Sequence, residues 1–170
     1  MSSAGGMDIR ELGQHEQKAY RALWLLGITR HPAFFRISPE DDATTGIPTR
    51  FEPDSFTLGA FSGSSLMGIV SLERDSHAKL RHKALVFRMF VHPEAAGRGI
   101  GRALLERLIS SANGIDSLRY LYLTVLTSNT RAIRLYSSLG FHTFAHEPGS
   151  VLIGDCYVDE FQMACRLTRA

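Results

Sequence analysis

Residues 91–102 read VHPEAAGRGIGR, and this stretch predicts the turn that joins a buried strand to a helix. The preceding residues 84–91 are almost entirely apolar, as expected of a strand buried on both faces, and only Arg88 interrupts the run. Pro93 ends the strand, and from Ile100 onward leucines recur on one face of an amphipathic helix. A strand, a glycine-rich turn and a helix therefore follow one another directly.

Three glycines, Gly97, Gly99 and Gly101, alternate in this turn. Because they lack a Cβ atom, the backbone can approach a ligand closely and adopt dihedral angles that other residues resist. The N–H groups of the first helical turn have no partners within the helix, and the helix dipole adds partial positive charge there. The turn is therefore predicted to bind an anionic phosphate group, and Arg98 and Arg102 are candidates for additional contacts.

The spacing of the glycines argues against two other phosphate-binding loops. A dinucleotide-binding fingerprint, G-x-G-x-x-G, that starts at Gly97 would need glycine where Arg102 stands. A P-loop would need Gly-Lys-Ser/Thr, whereas Gly101 is followed by Arg102 and Ala103. Neither a dinucleotide site nor a nucleotide-hydrolysing loop is expected.

A second strand and helix follow further along the chain. Residues 118–126 are predicted to be extended and residues 131–139 helical, with Ser128 or Asn129 suited to the N-cap and Gly140 to the C-terminal turn. One side of this helix carries residues that share helical spacing, namely Asn129, Ala132, Ile133 and Tyr136. Tyr136 is thus expected to share a cleft with Asn129, whereas Leu135 and Leu139 pack elsewhere.

The remaining segments predict antiparallel strands on either side of this β-α-β unit. Strands are predicted at residues 7–12, 55–61, 66–73, 141–146 and 157–167, a helix at residues 16–26, and a proline-rich excursion with one short helix at residues 31–53. Residues 62–65 have the composition of a hairpin turn. The predicted fold class is α/β (α+β), a twisted mixed, largely antiparallel sheet with helices on both faces.

The two motifs together resemble the GCN5-related N-acetyltransferase (GNAT) family, and the resemblance covers residues 58–167. The signature of that family, Arg/Gln-x-x-Gly-x-Gly/Ala, is matched in its second half by residues 96–101, AGRGIG, with Ala96 in place of the usual Arg or Gln. Its second motif is similar to residues 129–141, NTRAIRLYSSLGF. The resemblance implies an acyl-CoA N-acyltransferase fold and acetyl-CoA as the cosubstrate.

The resemblance also implies where acetyl-CoA would bind. The cofactor would lie between two splayed parallel strands, residues 84–91 and 118–126, with its pantetheine arm against the backbone near the end of the first. The implied cofactor-binding residues are Met89, Phe90, Val91, Gly97, Arg98, Gly99, Ile100, Gly101, Arg102, Asn129 and Tyr136. No metal site is expected.

In enzymes of this family an amine attacks the thioester carbonyl directly, so the reaction needs a proton donor for the departing thiolate and a base for the amine. Tyr136 matches the donor, and a backbone N–H near Val91 is the implied stabiliser of the oxyanion. Glu73 is the candidate base, with His82, His92 or a chain of water molecules as alternatives.

Arg88 lies in an apolar strand and therefore needs a partner. The expected partner is a carboxylate such as Glu73 or Glu160, with an acidic group of the substrate as the alternative. The aromatic side chains that could line the acceptor cleft are Trp24, Phe34, Phe35 and Phe51.

The composition fits one domain, predicted as a flexible N-terminus at residues 1–6 and a single N-acetyltransferase domain at residues 7–170. With a formal charge of +2 spread along the chain, neither nucleic acid nor membrane is an expected partner. Two cysteines, no secretory signal and no apolar run of membrane-spanning length predict a cytoplasmic location.

The predicted partners are acetyl-CoA and an amine acceptor, with a possible homodimer through residues 157–167, interpreted as an apolar strand edge. The alternative function is a non-catalytic CoA-binding sensor or interaction module with the same fold. It is motivated by Ala96, by Arg88 and by the lack of a carboxylate in the strand before the glycine turn.

Overall fold

A computed structural model describes residues 6–42 and 46–168 of the chain. Of the predicted flexible N-terminus, only Gly6 falls within these ranges, and residues 43–45 of the proline-rich excursion lie outside the described residues. The strands are β1 (Asp8–Glu11), β2 (Ser55–Ser62), β3 (Ser65–Arg74), β4 (Lys83–Val91), β5 (Tyr120–Leu126), β6 (His142–Ile153) and β7 (Cys156–Arg166). The helices are α1 (Gln17–Arg30), α2 (Pro39–Asp42), α3 (Ile100–Asn113) and α4 (Thr130–Ser138).

The described strands form one sheet in the order β1-β2-β3-β4-β5-β7-β6. Neighbouring strands are antiparallel except β4 and β5, which run parallel because α3 crosses over between them. The sheet is therefore mixed and largely antiparallel, as the fold-class prediction states.

Helices cover both faces of the sheet. Consecutive residues of β3 show this, because side chains alternate across a strand: Ile69 packs in a cluster with Trp24 of α1, whereas Val70 packs in a cluster with Leu104 of α3. Both β3 residues are fully buried. The central strands are thus held from two sides, and the prediction of helices on both faces is confirmed.

Helix α3 packs closely over β3 at Gly68. A Cβ atom at this glycine would come within 2.9 Å of Leu104 and 3.0 Å of Ile100. The leucines that predicted an amphipathic helix are buried in this interface, since Leu104, Leu105 and Leu108 have no exposed surface. This packing fixes the start of α3, and with it the glycine turn, relative to the sheet.

The structure corrects the prediction of self-association through residues 157–167. Strand β7 lies between β5 and β6, so its backbone is paired on both sides and β6 is the edge strand. The pattern of residues along a strand indicates its faces but not its neighbours, which is why the position of β7 was not predicted correctly. A homodimer stays a prediction, but the strand edge at residues 157–167 that was its predicted interface is not exposed.

Strand β4 is less buried than predicted. Leu85 is 44% exposed, and the residues around Arg88 are only half-buried. Around Arg88 the reason is that β5 pairs with β4 only as far as Leu85, so the second half of β4 borders an open cleft instead of a neighbouring strand. No helix in residues 6–42 and 46–168 combines the length and apolar character needed to span a membrane.

Candidate active site

The two parallel strands separate and form a cleft. Residues 83–85 of β4 pair with residues 120–122 of β5, and no pairing continues beyond them. Further along, both strands line a cavity of about 910 Å³, which is within the size range of ligand pockets. The splayed strands implied by the resemblance are therefore present, and their separation leaves backbone groups of both strands directed at the cavity.

A β-bulge lies at the point of separation. Opposite β3, Ile69 pairs with Phe90 and Ser71 with Phe87, so β4 contains one extra residue over this interval. Arg88 within it has a φ angle of 49°, which is unusual for a residue other than glycine. Bulges interrupt a strand ladder and redirect side chains, and this one turns β4 along the cavity wall.

The predicted cofactor residues of β4 adjoin this bulge. The three residues that follow it, Met89, Phe90 and Val91, all line the cavity. Phe90 contributes to the core beneath α1, and Met89 lies against Gly101 at the start of α3. The strand therefore reaches the glycine turn without leaving the cavity wall.

The glycine turn lies at one end of the cavity. Gly97 and Gly99 have φ angles of 80° and 75°, and a Cβ atom at either would meet no other protein atom, so the space beside the turn is open. Within the described residues, no protein oxygen accepts a hydrogen bond from the N–H groups of Ile100, Gly101 or Arg102. These orphan amides fit the diphosphate of acetyl-CoA.

The two arginines of this turn differ in position. Arg102 lines the cavity, and its guanidinium donates hydrogen bonds to Ser138 Oγ at 2.6 Å and Glu106 Oε1 at 3.4 Å. Arg98 is not among the residues that line the cavity. Ala96 lines it but carries no polar side-chain atom, so the backbone supplies most of the binding groups here.

Helix α4 brings Asn129 and Tyr136 to the same cavity. The side chain of Asn129 accepts a hydrogen bond from Ala132 N at 3.2 Å, which confirms it as the N-cap of α4. Leu135 also lines the cavity, so the prediction that it packs elsewhere is wrong.

Tyr136 is buried, and its hydroxyl donates to Met89 Sδ at 3.7 Å, a weak contact with β4. Burial raises the pKa of Tyr136 to about 12. The hydroxyl therefore keeps its proton at neutral pH and is available as a hydrogen-bond donor to a group in the cavity.

Glu73, the predicted base, lies outside the cavity. It is paired with Leu85 across β3 and β4, and its carboxylate contacts the hydroxyl of Ser55 and the guanidinium of Arg50. Among the residues that line the cavity, Glu160 is the one carboxylate in the described part of the chain. The structure thus brings together every predicted cofactor residue except Arg98, and does not bring Glu73 to them.

Arg88 pairs with a carboxylate, as predicted, but not with Glu73 or Glu160. Its guanidinium donates to Asp42 Oδ1 at 3.1 Å and to Tyr20 Oη at 3.4 Å, and it lies over the ring of Trp24. The identity of the partner was not predicted because Asp42 belongs to the proline-rich excursion, whose path cannot be inferred from strand pairing.

Aromatic residues form the other end of the cavity. Of the four predicted to line an acceptor cleft, Trp24, Phe34 and Phe35 do so, and Phe51 does not. Sequence reasoning missed the contributions of His31, Arg36 and Glu160 to this end. For Glu160, the available signal was a carboxylate directly before the apolar Phe161 in a predicted strand, but Asp159 beside it gives the same signal.

Metal ligation has no support in the arrangement of side chains. The described residues contain no group of three or more histidine, cysteine, aspartate or glutamate side chains placed to hold a metal ion. Cys156 and Cys165 are both free thiols.

Comparison with known proteins agrees with this geometry. Residues 15–141 match the sequence model of the family described as "Acetyltransferase (GNAT) family". The chain is similar to the spermidine N(1)-acetyltransferase of Vibrio cholerae, with 29% identity over 58% of this chain and 56% of that protein. It is also similar to the N-alpha-acetyltransferase RimI of Mycobacterium tuberculosis, with 37% identity over 52% of this chain and 53% of that protein. The chain thus matches little more than half the length of these relatives.

Solved structures share the fold over nearly the whole chain. An N-acetyltransferase from Kribbella flavida, described as GCN5-related, has a TM-score of 0.81 and 23% identity, covering 97% of this chain and 100% of that one. The structure of yncA from Salmonella typhimurium with its cofactor acetyl-CoA has a TM-score of 0.79 and 21% identity, covering 97% and 96%. At such identities the likeness concerns the fold.

Proposed function

Since the chain belongs to the acetyltransferase (GNAT) family, we propose that it transfers an acetyl group from acetyl-CoA to a primary amine of a small molecule or protein. The transfer occurs by direct attack in a ternary complex. One observation carries the proposal: a single cavity joins a phosphate-binding turn, two splayed strands and the hydroxyl of Tyr136. Residues 7–170 act as one N-acetyltransferase domain in this proposal.

The cosubstrate is held mainly by backbone groups. The N–H groups of the first turn of α3, opened by Gly97 and Gly99, receive the diphosphate. The backbone of residues 89–91 lies along the pantetheine arm, and the side-chain amide of Asn129 is available to it from the start of α4. Arg102 adds positive charge beside the diphosphate, and Arg98 is the remaining candidate for a contact from the turn.

The reaction removes two protons from the acceptor nitrogen and gives one to the thiolate. The ammonium group loses its first proton to a base, and the amine nitrogen attacks the thioester carbonyl carbon to form a C–N bond. As the C–S bond breaks, the nitrogen loses its second proton, which replaces the proton that Tyr136 gives up. Tyr136 donates its proton to the departing thiolate, because burial keeps the hydroxyl protonated until charge develops on sulfur. A backbone N–H beside the bulge, near Val91, stabilises the oxyanion.

The base is a group of the cavity and not Glu73. His31 and Glu160 both line the aromatic end, and either can take the proton of the acceptor directly or through water. Glu73 is separated from this space because its carboxylate is engaged by Arg50 and Ser55 on another part of the sheet.

An amine acceptor is supported by the names of the relatives, one of which acts on spermidine and the other on an α-amine. The cytoplasm is the proposed location, which the two free thiols support because unpaired cysteines are typical of reducing compartments.

The test measures CoA release from acetyl-CoA with a panel of primary amines, together with calorimetry of acetyl-CoA, CoA and NAD. Acetyl-CoA is expected to bind and to be consumed with at least one amine. Binding without turnover on every acceptor would favour the non-catalytic CoA sensor. Binding of NAD in preference to acetyl-CoA would contradict the proposed reaction and the sensor alike.

A further inference from the structure

Glu160 is a buried carboxylate with few partners. Its side chain is 2% exposed, lies on β7 opposite Leu126 of β5 and lines the aromatic end of the cavity. Within the described residues it accepts no hydrogen bond, and its one cationic neighbour is Arg36, whose Nη1 lies 3.6 Å away. Buried carboxylates normally accept several hydrogen bonds. A ligand with a hydrogen-bond donor would therefore be stabilised next to Glu160 in the cavity.

The electrostatic surroundings of Glu160 also favour a cation beside it. Burial raises the pKa of Glu160, Glu147 adds to the effect and Arg36 opposes it. A cation in the cavity would oppose this increase in the pKa of Glu160 and stabilise the charged carboxylate. An ammonium group, with three N–H donors, is such a cation.

Arg36 lines the same end of the cavity, and its side chain is 56% exposed. The 3.6 Å that separate it from Glu160 are too long for a hydrogen bond, so its guanidinium can receive another anion. Arg88, another arginine that lines the cavity, is already paired with Asp42. Glu160 and Arg36 therefore present two opposite charges, 3.6 Å apart, to an acceptor in the cavity.

The walls around this pair are aromatic. Trp24 and Phe35 meet edge to face at 5.2 Å between ring centroids, and Phe35 meets Phe90 at 6.2 Å. Phe34 lies against His31 at 5.9 Å. An apolar part of the acceptor would contact these rings while its charged groups reach the ion pair.

The two charges select between classes of amine. An acceptor with only positive charge, such as a polyamine, would bring its ammonium to Glu160 and at the same time close to the guanidinium of Arg36. Like charges at this distance repel, although water at the half-exposed side chain of Arg36 weakens the repulsion. An acceptor that carries an acid group next to its amine removes the repulsion, because that group pairs with Arg36.

We propose that the acceptor is a small zwitterion of the amino-acid class, whose ammonium group is held by Glu160 and whose carboxylate is held by Arg36. This inference rests on the proposed acetyl transfer and specifies its acceptor. The acceptor inserts between the two side chains and replaces one long ion pair with two shorter ones. Its apolar side chain lies against Trp24, Phe34 and Phe35.

The test compares each common L-amino acid with its amide, and adds 2-phenylethylamine, spermidine and an alanine-initiated tripeptide, all with acetyl-CoA. We expect at least one amino acid to be acetylated with a kcat/KM about 10- to 100-fold above that of its amide, the size of one charge-assisted contact. Arg36→Gln should abolish this acid-to-amide ratio, mainly by raising the KM of the amino acid.

Arg107→Gln is the matched control, because Arg107 is an exposed arginine of α3 outside the cavity. Arg107→Gln should have the same ratio of kcat/KM between an amino acid and its amide as the wild type. Glu160→Gln should lower the acetylation of amino acids and amides alike, since both bring an ammonium group. The Arg36 variant changes an exposed side chain and keeps the test independent of whether the Glu160 variant folds.

Three outcomes would overturn the inference. Preference for spermidine or for the tripeptide would show an acceptor of another class, and an unchanged acid-to-amide ratio in Arg36→Gln would remove the role of that arginine. Absence of CoA release with every amine would instead contradict the acetyl transfer itself, on which the inference depends. The first two outcomes contradict only the zwitterionic acceptor and leave the proposed acetyl transfer intact. Failure of the inference can therefore be told apart from failure of the proposed function.

Discussion

The guanidinium of Arg88 and the carboxylate of Asp42 lie 3.1 Å apart and join the bulge of β4 to the short helix α2. Both residues are largely buried, and Asp42 also accepts a hydrogen bond from Trp24 Nε1. The pair connects the strand that opens the cleft to the excursion that forms the aromatic end. The shape of the cavity therefore depends on a contact between segments 46 positions apart in the chain.

Replacing Arg88 is expected to destabilise the fold. Arg88→Met leaves the carboxylate of Asp42 buried without its cation, and breaking a buried pair in this way costs about 3–5 kcal/mol. The free energy of unfolding, measured with urea, checks this. Arg107→Met, on the exposed side of α3, should change it by no more than about 0.5 kcal/mol. Equal stability of the two variants would show that the pair contributes nothing.

Replacing Tyr136 by Phe should lower turnover without weakening cosubstrate binding. The variant keeps the ring that packs beneath the cavity and loses the proton donor, so kcat should fall about 10²- to 10⁴-fold. The dissociation constant of acetyl-CoA, measured by calorimetry, should stay close to that of the wild type. Tyr157→Phe changes an exposed tyrosine outside the cavity and should behave as the wild type. A Tyr136→Phe variant with full turnover would exclude the tyrosine as the acid.

Replacing two glycines that share a left-handed backbone conformation distinguishes an effect on folding stability from an effect on acetyl-CoA binding. Gly99 in the phosphate-binding turn and Gly63 in the β2–β3 hairpin have φ angles of 75° and 59°, and a Cβ atom at either meets open space. Alanine at either position should therefore cost about 1–2 kcal/mol of folding stability through the left-handed backbone.

Acetyl-CoA affinity should distinguish these two variants. A methyl group at Gly99 projects into the space beside the turn, so Gly99→Ala should bind acetyl-CoA at least about tenfold more weakly, whereas Gly63→Ala should bind normally. Calorimetry and thermal unfolding measured on the same samples check this. Equal affinity in both variants would count against phosphate binding at the turn.

Glu16 provides a pH-dependent contribution to stability. Its pKa is lowered chiefly by the hydrogen bond from Arg10, against the effect of burial, and Gly13 N adds a further hydrogen bond. Because the folded pKa is below the unfolded one, the contribution is present above the unfolded pKa and is lost as pH falls through the folded pKa.

Glu16→Gln should therefore destabilise the protein at pH 7 by about 1 kcal/mol or less, since Arg10 is half-exposed, and the difference from the wild type should disappear in acid. Urea unfolding at a series of pH values below 7 measures this. Glu11→Gln on β1 replaces an exposed carboxylate and serves as the control. A difference that grows on acidification would contradict the assigned direction.

Local sequence patterns were sufficient for most of the elements. The leucines of α3, the hairpin of β2 and β3 and the N-cap at Asn129 all depend on spacings of a few residues, and the structure confirms each. The glycine turn belongs to the same class, because its open amides follow from alternating glycines at the start of a helix. Its place on the cavity wall agrees with the prediction, and phosphate binding there stays a prediction.

The partners of charged side chains could not be predicted in this way. Arg88 was expected to pair with a carboxylate such as Glu73 or Glu160 and pairs with Asp42, and Glu73 was the candidate base but lies outside the cavity. Each outcome depends on where residues of the proline-rich excursion lie, since Asp42 pairs with Arg88 and Arg50 contacts Glu73. The glycine and proline composition of this excursion indicates turns but does not determine a path.

The sequence alone determined the order of strands and helices, the turn at Gly97 and Gly99 and the helix that carries Tyr136, because periodicity, caps and backbone freedom are local properties. Tertiary structure alone decided the separation of β4 from β5, the position of β7 within the sheet and the meeting of Glu160 with Arg36. These features arise from packing between distant segments, whose free energy depends on every surface that they bury together.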